Sequence, residues 1–174
     1  MVRVSVGEFG TREDGLELWP VYDSVFADYP DIDSWLAAVW DKHRVRSGFR
    51  LARSYSDDVL TGFAYGYTGT NGQWWTDNVR DVMEPDVAAR WLGGHFELVS
   101  IGVTQGVRGQ GVGRRLMRTL CSGLPHERQL LMTTADPADP ARRLYESEGW
   151  RVLSAGVSDA TVTMGRFGHA TDEE

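Results

Sequence analysis

The sequence predicts an α/β domain, and three observations lead there. Short β-branched runs alternate along the chain with stretches of helical periodicity. One of those runs, Glu97-Leu-Val-Ser-Ile-Gly-Val103, leads into a glycine turn and a basic amphipathic stretch, Arg108-Gly-Gln-Gly-Val-Gly-Arg-Arg-Leu-Met117. Finally, 174 residues suffice to bury one core of ordinary size and are too few for two full domains.

Each element follows from its local pattern. Val2, Val4 and Val6 alternate and predict an opening strand. Leu16 to Ala27 and Ile32 to His43 are patterned as helices, separated by Tyr29-Pro30-Asp31, with Asp33 or Ser34 available to cap the second. Phe49 to Tyr55 and Val59 to Tyr67 predict two antiparallel strands joined across Ser56-Asp57-Asp58, a turn-forming cluster. Thr68 to Gly94 mixes glycine, tryptophan and polar residues without clean periodicity, so it reads as a long functional loop or irregular insert, with Asp86 to Leu92 as a possible short helix. Phe96 to Val103 is a strand, and Gly111 to Ser122 a helix with Val112, Leu116, Leu120 and Cys121 on its apolar side and Arg114, Arg115 and Arg118 on the other. Gln129 to Thr133 predicts a short buried strand, Pro140 to Glu148 a helix, and Trp150 to Leu153 with Thr161 to Met164 a closing pair. Thr171 to Glu174 reads as a loose tail after a single domain over 1–170.

Composition narrows the function classes. A formal charge of −7 argues against a nucleic-acid binder, which needs a basic surface to neutralise phosphates. No apolar run approaches the roughly 18 residues of a membrane helix, and Met1-Val-Arg-Val-Ser-Val6 lacks the parts of a signal peptide. Cys121 is the single cysteine, which excludes an intramolecular disulfide and suits a reducing cytoplasm.

The glycine turn carries the chemistry. Gly109, Gly111 and Gly113 alternate, which removes side chains where backbone must approach a ligand at a helix start. The helix dipole favours an anion there, and Arg108, Arg114 and Arg115 add positive charge, so a pyrophosphate fits. A dinucleotide fingerprint needs G-x-G-x-x-G, but Arg114 stands where its third glycine belongs; a P-loop needs lysine and Ser or Thr after its last glycine, but Val112 follows Gly111. Arg108 to Gly113 does match [QR]-x-x-G-x-[GA], and in this the chain resembles the GNAT superfamily of acetyl-CoA-dependent N-acetyltransferases. The strand before the turn and the later Ala141-Arg-Arg-Leu-Tyr-Glu-Ser-Glu-Gly-Trp150 stand in the family's order, and the resemblance covers roughly residues 48 to 155.

The resemblance implies a single GNAT-like α/β domain, with a mixed central sheet of about six to seven strands flanked by about four helices. It implies acetyl-CoA as acyl donor and no metal, with the cofactor held at Ile101, Gly102, Val103, Arg108, Gly109, Gln110, Gly111, Val112, Gly113 and Arg114. Pantetheine amides would pair with the strand backbone near Ile101 to Val103 as an added strand. Glu97 stands where similar enzymes place a general base, with His95 on the same strand face, and Tyr145 where they place a general acid for the departing thiolate. Each has an alternative reading: Glu97 as an ordinary strand carboxylate, His95 as a structural histidine, Tyr145 as a packing ring. Many relatives carry an asparagine about seven residues before the tyrosine, but here that place holds Ala138, with Asp136 and Asp139 nearby, so that contact is not carried over.

Substrate selectivity in similar enzymes comes from the first two helices and from the segment between the third and fourth strands. Those pieces here hold Asp23, Asp28, Asp31 and Asp33 among Tyr22, Phe26, Tyr29 and Trp35, and the run Gln73-Trp-Trp-Thr-Asp77. Carboxylates among aromatic walls suit an ammonium group, although caps and core packing also use such residues. The expected function is therefore N-acetylation of a primary amine on a small molecule or peptide, with no nucleic-acid or membrane partner and with a homodimer possible. The alternative is a catalytically silent acyl-CoA-binding sensor or regulatory module of the same fold.

Overall fold

The computed structural model describes residues 1–168, so the expected tail at 171–174 lies outside the described residues. The strands are β1 (Arg3–Gly7), β2 (Arg50–Ser56), β3 (Val59–Gly69), β4 (His95–Val103), β5 (Arg128–Thr134), β6 (Arg151–Ala155) and β7 (Thr161–Phe167). They form one seven-stranded mixed sheet in the order β1-β2-β3-β4-β5-β7-β6. The chain divides into two compact units, Met1–Tyr67 with Leu98–Ser122, and Thr68–Glu97 with the part that follows Gly123.

In the first unit β1, β2 and β3 form an antiparallel meander, with Val4 opposite Ser54 and Ala52 opposite Ala64. Asp57 and Asp58 make the β2–β3 turn, both at positive φ (48° and 62°), as the twist of a tight hairpin requires and aspartate tolerates. Helix α1 (Arg12–Phe26) begins earlier than its apolar pattern suggests, because Thr11 and Asp14 form a reciprocal cap: Thr11 Oγ1 accepts the Asp14 N–H at 3.1 Å and Asp14 Oδ2 accepts the Thr11 N–H at 2.8 Å. Helix α2 runs through Ile32–Trp35, a π-helical turn at Leu36–Trp40 and Asp41–His43. Its cap is Asp31, not the expected Asp33 or Ser34; Asp31 Oδ1 takes the Ser34 N–H at 2.8 Å. Leu18, Val21, Tyr22, Trp35, Leu36 and Trp40 from these helices meet Leu51, Phe63, Tyr65 and Tyr67 of the strands in one core. Helix α5 (Val112–Cys121) buries Val112, Leu116, Met117, Leu120 and Cys121 and packs on β1 and β2.

In the second unit Thr68 to Gly94 is not a loop. It folds into α3 (Trp74–Val82) and α4 (Pro85–Trp91), so six helices stand among the described residues where about four were expected. Trp75 and Val79 on α3 and Met83 at its C-cap are spaced four apart and are buried together with Ala88, Trp91 and Leu130. Strand β5 pairs parallel with β4 at Phe96↔Gln129 and Glu97↔Leu130 and antiparallel with β7 along its length. Helix α6 (Pro140–Ser147) packs on β5, with Asp139 as N-cap and Pro140 in its first turn.

Candidate functional site

The predicted site residues fall into two sets, one in each unit. The first runs from β4 into α5. Gly102 is buried, and a Cβ there would stand 3.1 Å from the Phe63 ring and 3.4 Å from Val25, while Ile101 and Val103 on either side are half-buried. After Val103 the backbone makes a 3₁₀ turn at Gln105–Val107, and Arg108 closes it by donating from Nε to the Val103 carbonyl at 3.0 Å. Gly109 and Gly111 then take left-handed φ values of 76° and 75°. A Cβ at either would meet nothing within 4 Å, so glycine is needed there for conformation and leaves open backbone.

Gly111 is the N-cap of α5 and has no side-chain capping bond. The first amides of a helix have no intrahelical acceptor, so this start offers backbone donors and the positive end of the dipole to an anion. Arg108, Gly109, Gln110 and Gly111 are exposed, and Arg114 is half-buried one turn in. Arg115, expected to add charge at the same place, instead donates from Nη1 to the Val2 carbonyl at 3.1 Å and ties α5 to the start of β1.

The second set holds His95, Glu97 and Tyr145. Glu97 is 4% exposed on β4, beside Leu130 in the parallel register. His95 is fully buried, and its Nδ1 accepts the Gly93 N–H at 3.1 Å, which leaves the proton on Nε2. Burial, followed by the nearby charges of Arg128, His126 and Arg80, pushes its pKa down to about 3, so His95 is a neutral structural ring near pH 7. Tyr145 lies on the buried side of α6 with its ring edge toward Trp150, centroids 6.3 Å apart. Burial first, and the Asp139 carboxylate second, raise its pKa, so the phenol keeps its proton. Among the described residues no hydrogen-bond partner meets that hydroxyl.

The residues read as a substrate region divide. Trp35 is fully buried and packs against Tyr22 in a tilted pair with centroids 4.8 Å apart, so these rings are core. Tyr22 donates to Asp28 Oδ2 at 3.1 Å, Asp31 serves as cap, and Asp23 and Asp33 are exposed. In the α3 segment Trp75 is buried, Asp77 Oδ1 accepts the Gly72 N–H at 3.0 Å, and Trp74 alone of the two tryptophans projects outward, 66% exposed.

Two arginines that the sequence patterns do not single out brace this unit. Arg128 donates to the Arg90 carbonyl at the end of α4 and to the Gly93 carbonyl, both at 2.9 Å, and so fixes the turn that enters β4. Arg142 joins the end of β5 to α6. The Asp139-Pro140 pair before a helical run was a visible capping signal for the region. Nothing in the sequence marks the carbonyls the arginines reach.

Comparison with known proteins agrees with this geometry. The chain is 31% identical over 112 residues to the GCN5-like protein acetyltransferase Rv2170 of Mycobacterium tuberculosis, covering 60% of this chain and 54% of that one. The chain therefore spans about half the length of that curated relative. The ribosomal-protein-S18-alanine N-acetyltransferase of Escherichia coli shares the fold with a TM-score of 0.65 at 15% identity, over 98% of this chain and 97% of that one. NAA60 of Arabidopsis thaliana, solved with a bisubstrate analogue, does so with a TM-score of 0.59 at 15% identity, over 96% of this chain and 100% of that one. The model of the acetyltransferase (GNAT) family matches residues 16–150, from within α1 through the glycine turn to the end of the Tyr145 segment, and the chain belongs to that family.

Proposed function

We propose that residues 1–170 act as one acyl-CoA N-acetyltransferase domain that moves an acetyl group from acetyl-CoA to a primary amine by direct attack. The observation that carries the reading is the open start of α5: two left-handed glycines with no neighbour within 4 Å, a helix N-terminus without a side-chain cap, and exposed Arg108. These residues fit a pyrophosphate. In this reading Arg108, Gly109, Gln110, Gly111, Val112, Gly113 and Arg114 hold it, and the backbone of Ile101, Gly102 and Val103 pairs with pantetheine amides.

Acetyl-CoA, when bound, supplies a thioester carbonyl and a thiol leaving group. A lysine-like amine with pKa near 10.4 is neutral in about one molecule in a few thousand at pH 7, and removing its proton costs about 4 to 5 kcal/mol. Glu97 is the base that takes this proton, directly or through water. Tyr145 keeps its proton throughout the working range, and its hydroxyl has no partner among the described residues to compete for it. It is the donor to sulfur as negative charge builds there. The acceptor is a small-molecule or peptide amine, and the setting is cytoplasmic.

The test is thiol release from acetyl-CoA across an amine panel that includes peptides with N-terminal alanine and internal lysine, from neutral to mildly alkaline pH. At least one amine is expected to support turnover. Tight coenzyme A binding with no release for any amine would leave only a silent binding module.

A further inference from the structure

Arginine side chains are mostly exposed, yet Arg142 in the first turn of α6 is only 8% exposed. A buried guanidinium persists when its donors find acceptors. Here Nε donates to Glu146 Oε1 at 2.9 Å, and Nη1 donates to the Ala135 carbonyl at 3.1 Å and, at the limit of a hydrogen bond, to the Thr134 carbonyl at 3.4 Å. Thr134 is the last residue of β5, and the Ala135 N–H in turn bonds the Ala160 carbonyl at 2.8 Å. One planar group thus ties the end of β5 to two successive turns of α6. Tyr145 follows three residues later on the same buried side. Since no hydrogen bond among the described residues fixes the tip of Tyr145, the direction of its hydroxyl follows the setting of α6 against β5.

We propose that Arg142 is a positioning residue for Tyr145: its fork sets α6 on the end of β5 and so places the phenol for proton donation. The inference rests on the role given to Tyr145 above. A misplacement of about 1 Å can cost about 100-fold in rate, and a lysine, with a compact ammonium, cannot reproduce the planar fork.

The test is a double-mutant cycle on the full chain, reading kcat and the KM for acetyl-CoA in Arg142→Met, Arg142→Lys, Tyr145→Phe and the two doubles, with folding checked by circular dichroism. Tyr145→Phe and Arg142→Met should each lower kcat by about 10-fold or more while KM stays within about 2-fold, and Arg142→Lys should resemble Arg142→Met. In the Tyr145→Phe background either Arg142 change should cost nothing further, a coupling that a purely structural role would not produce. Where Arg142→Met does not fold, the Arg142→Lys cycle decides by the same criterion. Multiplying effects, or an Arg142 variant with wild-type kcat, would overturn the positioning role and leave Tyr145 as donor. Wild-type kcat in Tyr145→Phe would remove the donor role and this inference with it.

Discussion

The imidazole of His95 lies against Gly69 so closely that a Cβ on residue 69 would stand 2.1 Å from Nε2 and 2.3 Å from Cε1. The ring has no room to retreat, because its Nδ1 is held by the Gly93 N–H and Trp75 stands beside it with centroids 6.0 Å apart. Gly69→Ala should therefore destabilise the fold by about 1 to 3 kcal/mol, the usual cost of overpacking. Urea denaturation of Gly69→Ala and of Gly69→Ala with His95→Ala checks this. The second change should recover part of the loss if the clash is the cause, and strictly additive losses would refute it.

The same ring gives stability a pH dependence whose sign is fixed. The folded pKa of about 3 lies below the ordinary 6.5, so between these values the unfolded chain binds a proton that the folded chain refuses. Stability from this group is complete above pH 6.5 and falls as the pH drops towards 3. At pH 5 the loss amounts to about 2 kcal/mol at 1.36 kcal/mol per unit. Denaturation midpoints of wild type and His95→Gln between pH 7.5 and 4.5 measure it, and the wild type should show the steeper decline.

Strands were legible because short runs of β-branched and aromatic residues bounded by turn formers mark them even without alternation, as at Val59 to Tyr67, which is buried without interruption from Thr61 onward. Helix starts were less legible: α1 begins at Arg12 and α2 is capped by Asp31, both set by polar side chains that reach one backbone N–H rather than by periodicity. The α3 segment shows no clean helical pattern because the adjacent Trp74 and Trp75 obscure the four-residue spacing of Trp75, Val79 and Met83. In the site, the glycine turn is local and so could be read directly. The arginine braces could not be, since Arg128 and Arg142 reach main-chain carbonyls, which every residue has.

Arg128 gives a test of how β4 is held. Its guanidinium spans the Arg90 and Gly93 carbonyls, and Gly93 and Gly94, at φ 93° and 73°, turn the chain into the strand that carries Glu97. Arg128→Met removes both bonds while keeping an apolar stem. We expect a loss of about 1 to 3 kcal/mol in stability and faster hydrogen exchange at residues 93–95. Unchanged exchange there would show that the turn holds itself.

The base role proposed for Glu97 predicts a change in profile as well as in rate. Glu97→Gln keeps size and polarity but cannot accept the ammonium proton, so kcat should fall by about 100-fold near neutral pH, within the usual range for one general base. The deficit should narrow as pH rises and the amine loses its own proton. Measured from pH 7 to 9.5 with one amine, an equal deficit at every pH would remove Glu97 from this role.

Gly111 separates what the turn needs for folding from what it needs for its ligand. At φ 75° an L side chain costs about 1 to 2 kcal/mol, except that asparagine visits this region readily and also serves well as an N-cap. No neighbour lies within 4 Å of a Cβ there, so Gly111→Asn should fold with little loss, whereas Gly111→Val should be destabilised by backbone strain alone. If the open backbone is where a pyrophosphate approaches, the asparagine obstructs it and competes for the first amides of α5. The expected result for Gly111→Asn is near-wild-type thermal stability with the dissociation constant for coenzyme A raised about 10-fold or more, roughly one lost charge-assisted hydrogen bond. Wild-type affinity in a stable Gly111→Asn would place the phosphates elsewhere.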